Sequence, residues 1–305
     1  MIRFTRQGIR RSTVLLAAIG LSTSIAVTSS TAAPATVLLD HPLVGEIWSS
    51  HTNQLTTVDD IVAAAEVADA VILGEKHDNA EHHQLQAALL ARLSTDGRKA
   101  AVVWEMIPPA KDSILARATA IGGDGLGAAL DWAEAGWPPW PEYQPIADIA
   151  IARGLTMRGA ALTRAQVGTL LGGDTDLLRD TKALPAAYQA ALLEQLEASH
   201  CGAVPRTALG GMADVQVARD AAIAKAMGEV FDAGGFPVAI TGGGHARRDR
   251  GVPWQLSRRT VLVVAFVEVV RGETDPARYV DPGVFDFVWF TPRVDEKDPC
   301  DRFRR

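Results

Sequence analysis

The chain has 305 residues, of which 48% are hydrophobic and 22% are charged, and its formal net charge is −6. This composition predicts a folded globular protein with a sizeable core and excludes an intrinsically disordered one. The first 33 residues contain four arginines and no acidic residue, so their removal would change the net charge from −6 to −10 (−6 minus 4). So acidic a chain excludes nucleic acid as the main partner, because phosphate backbones bind basic surfaces.

The amino-terminal segment has the three parts of a secretory signal peptide. Arginines precede an apolar run at residues 14–27, and small residues follow as far as Ala33. The run is shorter than the roughly 20 residues that span a bilayer, so we expect residues 1–33 to be cleaved rather than retained as an anchor. No cysteine precedes Cys201, and we therefore expect no lipid anchor on the mature chain. The protein is predicted to be periplasmic or secreted.

Cys201 and Cys300 are the two cysteines of the sequence. A disulfide between them would join the carboxyl-terminal tail to the body of the protein, and it would fit an oxidising compartment. Zinc ligation is the alternative. It is disfavoured because neither cysteine belongs to a C-x-x-C motif.

The first elements of the mature chain are short. Pro and Gly punctuate residues 34–53, which are predicted to form an edge strand at residues 36–39 followed by a loop. Thr57 and Asp60 have the spacing of a helix capping pair, and they predict a short helix that extends to Val67.

A strand, a polar turn and a helix come next. Residues 71–73 are apolar and predict a short buried strand, which Gly74 ends. Glu75 and His77 lie in the turn, and a helix is expected to begin near Asn79. Ligands of open α/β sheets bind at the carboxyl ends of the strands, so this turn is a candidate binding site.

His82 and His83 lie on the helix that follows this turn. Successive helical residues point about 100° apart, so at most one of these histidines can face the same crevice as His77. The other is expected to be solvated or packed.

A second carboxylate follows the next predicted strand. Residues 100–104 are apolar, and Glu105 comes directly after them. Taken alone, Glu105 could equally well be a surface carboxylate that caps a helix or forms a salt bridge. Its position one strand after Glu75 favours a functional role. Helical patterns follow at residues 110–120 and 126–134.

Residues 136–143 place three aromatic side chains, Trp137, Trp140 and Tyr143, among three prolines. Because prolines cannot donate backbone hydrogen bonds, this segment is predicted to be a stiff apolar loop. Two interpretations remain open. The loop is either a wall for a flat ligand over the crevice or a plug at one end of the core.

The second half of the chain continues the alternation of strands and helices. This alternation predicts an α/β fold, with a mostly parallel central sheet and helices on both faces, in a single domain at residues 34–305. A helical subregion is expected around residues 163–231. The predicted strands are 155–160, 238–241, 261–269 and 285–290, and the predicted helices are 146–152, 185–198 and 213–231.

A Gly-x-x-His pattern occurs twice at strand ends, at Gly74 to His77 and at Gly242 to His245. Two matched turns suggest one shared site, joined there by Glu105. Neutral imidazoles and carboxylates are ligands for zinc, manganese or iron, and such a cation can activate water for hydrolysis. The residues therefore predict a metal site that is catalytic if the protein is a hydrolase. A hydrogen-bonded network without a ligand is the alternative, although burying so many ionisable groups is costly. The predicted set is Glu75, His77, Glu105 and His245.

The motifs, taken together, resemble the ChaN family of haem-binding uptake proteins, a branch of the Tiki-like superfamily. The resemblance covers nearly all of the mature chain, but the lipid-attachment cysteine of the lipoprotein members is absent. The motifs in order are GEKHDNAEHHQLQ, VVWEM, WPEYQPI, HCG, QVARDAAIAKAM, ITGGGHARRDRGVP, FVWFTP and DPC.

The resemblance implies a secreted or periplasmic α/β protein that binds haem for iron uptake, and a homodimer is implied because some members pair haems between two subunits. WPEYQPI matches the family's stretch and makes Tyr143 the choice of axial ligand, with a buried structural tyrosine as the alternative. If the protein binds haem, the loop with Trp137 and Trp140 is expected to clamp the porphyrin. Glu75, His77, Glu105 and His245 resemble the metal site of the Tiki metalloproteases. The alternative function is therefore a metal-dependent peptidase or esterase.

Overall fold

The structure is a computed structural model, and it describes residues 37–95, 97–256 and 258–303. The predicted signal peptide at residues 1–33 lies outside the described residues. The strands are β1 Ile47–Ser49, β2 Gln54–Thr56, β3 Ala70–Glu75, β4 Ala100–Trp104, β5 Thr156–Gly159, β6 Phe236–Gly242, β7 Val261–Glu268 and β8 Phe287–Thr291. The α-helices are α1 Val58–Glu66, α2 Ala80–Leu93, α3 Asp112–Leu115, α4 Ala118–Ile121, α5 Gly123–Ala129, α6 Trp132–Ala135, α7 Trp140–Ala152, α8 Arg164–Leu171, α9 Ala186–Ser199, α10 Arg206–Asp232 and α11 Val252–Gln255.

The described strands form one sheet in the order β2-β1-β8-β7-β3-β6-β4-β5. All neighbouring pairs from β8 to β5 are parallel, and β1 pairs antiparallel with both β2 and β8. The predicted α/β fold with a mostly parallel sheet is confirmed. Three strand ends that the sequence singled out are neighbours in this sheet, because β6 lies between β3 and β4.

Side chains of β3 alternate between two apolar cores. Val71 and Leu73 pack into the core under α2 and α7, and Ala70 and Ile72 pack into the core that includes residues of α10. All four are fully buried, as expected for a strand covered by helices on both faces. Because successive side chains of a strand point to opposite faces of the sheet, a polar residue at a strand end lies on the face that its position in the strand determines.

Local capping explains where the first two long helices begin. Oδ2 of Asp60 accepts hydrogen bonds from the backbone N–H and the hydroxyl of Thr57, which confirms the predicted capping pair of α1. Asn79 caps α2, since its Oδ1 accepts a hydrogen bond from the N–H of Glu81. Strand β3 extends one residue past the predicted end at Gly74, so Glu75 is its last residue, and the turn with His77 that follows is tied to the start of α2.

Several predicted elements differ from the structure. The predicted helices at 110–120 and 126–134 are each divided, into α3 and α4 and into α5 and α6. The edge strand at residues 36–39 is wrong within the described part, because Val37 makes only an isolated bridge to Arg293. The loop prediction for residues 136–143 is wrong from Trp140 onwards, since Pro141 lies in the first turn of α7, where a proline is tolerated. Helix α10 starts at Arg206, seven residues before its predicted start at residue 213.

The carboxyl-terminal tail is tied to the body of the protein by a disulfide between Cys201 and Cys300, the first of the two interpretations of this pair. Their Cα atoms are 5.6 Å apart, and 99 residues separate them in the chain. In the part of the chain that the structure describes, no helix is both long and apolar enough to cross a membrane.

Candidate functional site

The structure brings the two Gly-x-x-His turns together at one edge of the sheet. Gly74 of β3 pairs with Thr241 of β6, and Glu105 follows β4 on the other side of β6. The parallel register aligns the ends of these three strands, so their turns project into a common crevice. Glu75, His77, Glu105 and His245 therefore lie in one network.

Glu75 occupies the face of the sheet that α2 and α7 cover. Its Oε1 lies 2.7 Å from Nδ1 of His77 and accepts a 2.7 Å hydrogen bond from the hydroxyl of Tyr143. Burial opposes ionisation of Glu75, but the histidines outweigh it: His83 attracts the charge and His77 donates to it, so the pKa of Glu75 lies far below its usual range. Glu75 is thus an anchored anion.

His83 is a residue of this site that the predicted set lacked. Its Nε2 lies 3.2 Å from Oε2 of Glu75, outside hydrogen-bonding geometry, and its ring stacks on Tyr143 at a centroid distance of 3.8 Å. His82 points away from the crevice, with its Nδ1 accepting from the N–H of Lys76. The expectation that only one of the two histidines faces the crevice is confirmed, and the spacing alone did not say which.

Glu105 occupies the opposite face of the sheet. Its Oε2 accepts a 2.6 Å hydrogen bond from the N–H of Gly242, and its Oε1 lies 3.1 Å from Nε2 of His245. Burial opposes ionisation, but His245, His77 and the Gly242 N–H outweigh it and lower the pKa of Glu105 to about 2. This carboxylate is therefore a partner of His245 rather than a surface group.

Asp220 of α10 completes this half of the site, and the predicted set lacked it as well. Its Oδ1 lies 2.7 Å from Nδ1 of His245. Burial raises the pKa of Asp220 to about 6, although His245 counteracts it. For His245, burial opposes the charged form, but Glu105 and Asp220 outweigh it and raise the pKa to about 10. His245 is therefore an imidazolium clamped between two carboxylates.

His77 lies between the two halves. Its Nδ1 is held by Glu75, and its Nε2 lies 3.8 Å from Oε1 of Glu105, which is beyond hydrogen-bonding distance. The side chain is 30% exposed, against 5% for His245. Burial lowers the pKa of His77, but Glu75 and Glu105 outweigh it and the pKa is raised. His77 thus offers the accessible imidazole of the network.

The three aromatic residues predicted to contact a cofactor lie at different depths. Trp137 is partly buried and its ring lies 4.8 Å from the ring of His77, with Nε1 donating to the carbonyl of Met106. Tyr143 is fully buried and donates to Glu75. Trp140 is buried, and its Nε1 donates to the carbonyl of Gly123. Only Trp137 borders the accessible side of His77.

The predicted metal set is not arranged around a common cation position. Oε1 of Glu75 faces Nδ1 of His77, and Oε1 of Glu105 faces Nε2 of His245, so these donors pair with one another. Across residues 37–95, 97–256 and 258–303, no group of three or more His, Cys, Asp or Glu side chains could hold a metal ion. Metal-dependent hydrolysis is accordingly not favoured.

Fold and site define a class of protein, namely an α/β protein with a buried network of carboxylates and histidines at the ends of its parallel strands. The chain belongs to the family described as haem-binding uptake, Tiki superfamily, ChaN, because the family model matches residues 61–256, more than half of the 305 residues. The family resemblance drawn from the motifs is confirmed. A search of curated protein sequences found no match.

Solved structures with a similar fold include ChaN of Campylobacter jejuni, in a structure that describes cofacial heme binding. It is 19% identical to this chain, the alignment covers 80% of this chain and 95% of that one, and the TM-score is 0.65. The type III effector HopBA1 is 16% identical, with 77% and 93% covered and a TM-score of 0.49. At these identities the first likeness establishes the fold.

Proposed function

We propose that this protein binds haem at the strand-end site and serves haem or iron uptake. The observation that carries the proposal is the state of His77, whose Nδ1 is fixed by Glu75 while its Nε2 has no hydrogen-bond partner among the described residues. Histidine ligands of metals commonly have this arrangement, in which a carboxylate on one ring nitrogen orients the other toward the metal. Membership of the haem-binding uptake family supports the same reading.

The donor set fits haem better than a bare cation. When bound, haem would offer its iron to one axial donor and a flat apolar surface to the protein. His77 supplies the nitrogen donor in this proposal, and Trp137, 4.8 Å from its ring, supplies an aromatic wall. Because the pKa of His77 is raised, a proton competes for the same ring, and haem affinity should fall as the pH is lowered.

Tyr143 remains the alternative axial ligand. An iron-bound tyrosine is a phenolate, and burial and Glu75 both raise the pKa of Tyr143 and oppose that form. We therefore propose that Tyr143 acts behind the haem site, where its hydroxyl holds Glu75 in place. Trp140, buried one turn earlier on α7, would hold the same helix in place through its packing in the core.

The place of action and the assembly are part of the proposal. The disulfide between Cys201 and Cys300 fits an oxidising compartment, which supports export to the periplasm or the medium after cleavage of residues 1–33. The Campylobacter jejuni protein binds hemes cofacially, and by that likeness haem should bring two copies of this chain together. Sedimentation with and without hemin tests the pairing, and amino-terminal sequencing of exported protein tests the cleavage.

Hemin titration of the purified mature chain tests the central proposal. Wild-type protein is expected to give a saturable Soret shift, His77→Ala to lose most of it, and Tyr143→Phe to retain it. His51→Ala is the matched control, because His51 is exposed. No shift with wild-type protein would reject haem binding, and loss with Tyr143→Phe but not with His77→Ala would make tyrosine the ligand.

A further inference from the structure

A small cavity adjoins the strand-end site on the α10 side. It has a volume of about 40 Å³, and Glu105, Trp137 and Arg219 contribute to its lining. Residues 160–162, which are two alanines and a leucine, line both this cavity and a larger cleft of about 530 Å³ beside α10. An apolar surface formed by residues 160–162 therefore continues from the strand-end site into the larger cleft.

Arg219 is the one cation among the residues that line this small cavity. It is partly buried on α10, and within the described residues its guanidinium makes no hydrogen bond or ion pair. Two other arginines that are not exposed differ in this respect: the buried Arg250 and the partly buried Arg247 both pair with Asp249. A guanidinium has five N–H donors, and leaving them unmatched in a half-buried place is costly.

The carboxylate that lines the same cavity does not pair with Arg219. Glu105 lines the same cavity, but its two oxygens are engaged by the N–H of Gly242 and by His245, and it makes no ion pair with Arg219. An external carboxylate could therefore approach the guanidinium without displacing a protein group. The planar donor fork of arginine matches a carboxylate with two parallel hydrogen bonds.

We infer that Arg219 binds a carboxylate of the ligand, so that the site selects a flat apolar molecule that carries an anionic group at one edge. This inference rests on the proposed function, in which the ligand is haem, and it identifies the haem propionates as that anionic group. The apolar lining at residues 160–162 contacts the edge of the ring, and Trp137 borders both the cavity and His77. Arg219 is a specificity-determining residue, distinct from the residue that ligates iron.

Titrations with hemin and with hemin dimethyl ester, which lacks both free carboxylates, distinguish haem binding at the site from carboxylate binding by Arg219. Each is titrated into wild-type protein and into Arg219→Gln, with affinity read from the Soret band. We expect Arg219→Gln to weaken hemin binding about 10-fold or more and to leave ester binding within about 2-fold, since charge-assisted hydrogen bonds are lost only for hemin. Arg219→Lys keeps the charge without the fork, and it should recover part of the affinity.

Lys225→Gln is the matched control, because Lys225 is an exposed cation on the same helix that lines the larger cleft but not the small cavity. It should leave both affinities unchanged. Equal weakening of hemin and ester by Arg219→Gln, or no weakening of either, would overturn the role of Arg219 while the proposed function stands. If wild-type protein binds neither porphyrin, the proposed function fails and this inference falls with it.

Discussion

The hydroxyl of Tyr143 donates a 2.7 Å hydrogen bond to Oε1 of Glu75, and both side chains are buried. The same oxygen lies 2.7 Å from Nδ1 of His77. One carboxylate oxygen thus joins a helix of one layer to the turn that carries the accessible histidine. Tyr143 therefore sets the position of Glu75, and through it the orientation of His77.

Tyr143→Phe is expected to destabilise the fold by about 1.5–3 kcal/mol, the usual worth of a hydrogen bond to a charged group. The phenyl ring of the variant can still stack on His83, so the decrease in unfolding free energy measures the contribution of the hydroxyl and not of the packing. Urea unfolding at neutral pH measures it. Tyr188→Phe, at a 36% exposed position, should leave the unfolding free energy unchanged. Equal stability of Tyr143→Phe and wild-type protein would show that the bond to Glu75 contributes nothing.

How much of the site could be predicted depends on which residues follow strands. Glu75 is the last residue of β3, and His77, Glu105 and His245 lie just beyond apolar strands, so the rule that parallel strand ends meet was enough to group them. Asp220 is in the middle of the 27-residue helix α10, where no strand end marks it as a site residue. Its charge on the face of the helix turned to the sheet was the one available signal.

The aromatic segment was misjudged for a local reason. Prolines at positions 138, 139 and 141 suggested an irregular loop, but a proline in the first turn of a helix loses no hydrogen bond, because the first four N–H groups of a helix have no partner within it. Helix α7 therefore starts at Trp140, and it carries Tyr143 inwards towards Glu75. How deeply Trp140 and Tyr143 are buried depends on the residue at which α7 begins, and composition does not reveal that residue.

Stability should fall at alkaline pH because of His245. Its pKa is about 10 in the folded protein against an ordinary value of 6.5, so the folded state holds the proton more tightly. The contribution is present in full below pH 6.5 and is lost between pH 6.5 and 10, at up to about 1.4 kcal/mol per pH unit. Asp220→Asn removes one of the two carboxylates that hold the charge, and unfolding curves across this range should decline less steeply. Asp232→Asn, at an exposed position on the same helix, should decline as wild-type protein does.

At acidic pH the fold should lose stability because of His82. Burial is the main cause that lowers its pKa to about 3, with His83 and Lys76 adding to the effect and Glu75 opposing it. The folded state therefore keeps His82 neutral while the unfolded chain binds a proton below pH 6.5. Stability present above pH 6.5 is lost as the pH falls towards 3, at up to about 1.4 kcal/mol per pH unit.

His82→Asn removes this titration, and an amide oxygen can still accept from the N–H of Lys76. The variant is expected to be less stable than wild-type protein at pH 7, but the difference should shrink by pH 4.5 in denaturant unfolding. His51→Asn changes an exposed histidine and should follow the wild-type curve. A constant difference between His82→Asn and wild-type protein at the two pH values would contradict a neutral, buried His82.

Gly242→Ala should impair haem binding more than it impairs folding. A Cβ at this position would lie 2.7 Å from Nε2 of His77, which is too close, so the imidazole must move or turn. The backbone of Gly242 is not in the left-handed region, and alanine itself is tolerated there. We expect hemin affinity to fall about 10-fold or more on the Soret titration, because the imidazole proposed to hold the iron would be displaced.

Gly210→Ala is the matched control for this substitution. Nothing lies within 4 Å of a Cβ at position 210 on α10, so alanine should raise stability by about 0.5–1 kcal/mol through its higher helix propensity and leave hemin affinity unchanged. Gly242→Ala that binds hemin like the wild-type chain would mean that the iron does not reach His77. In that case His77 would serve to neutralise Glu75 and Glu105, and the axial ligand would have to be sought among residues outside this network.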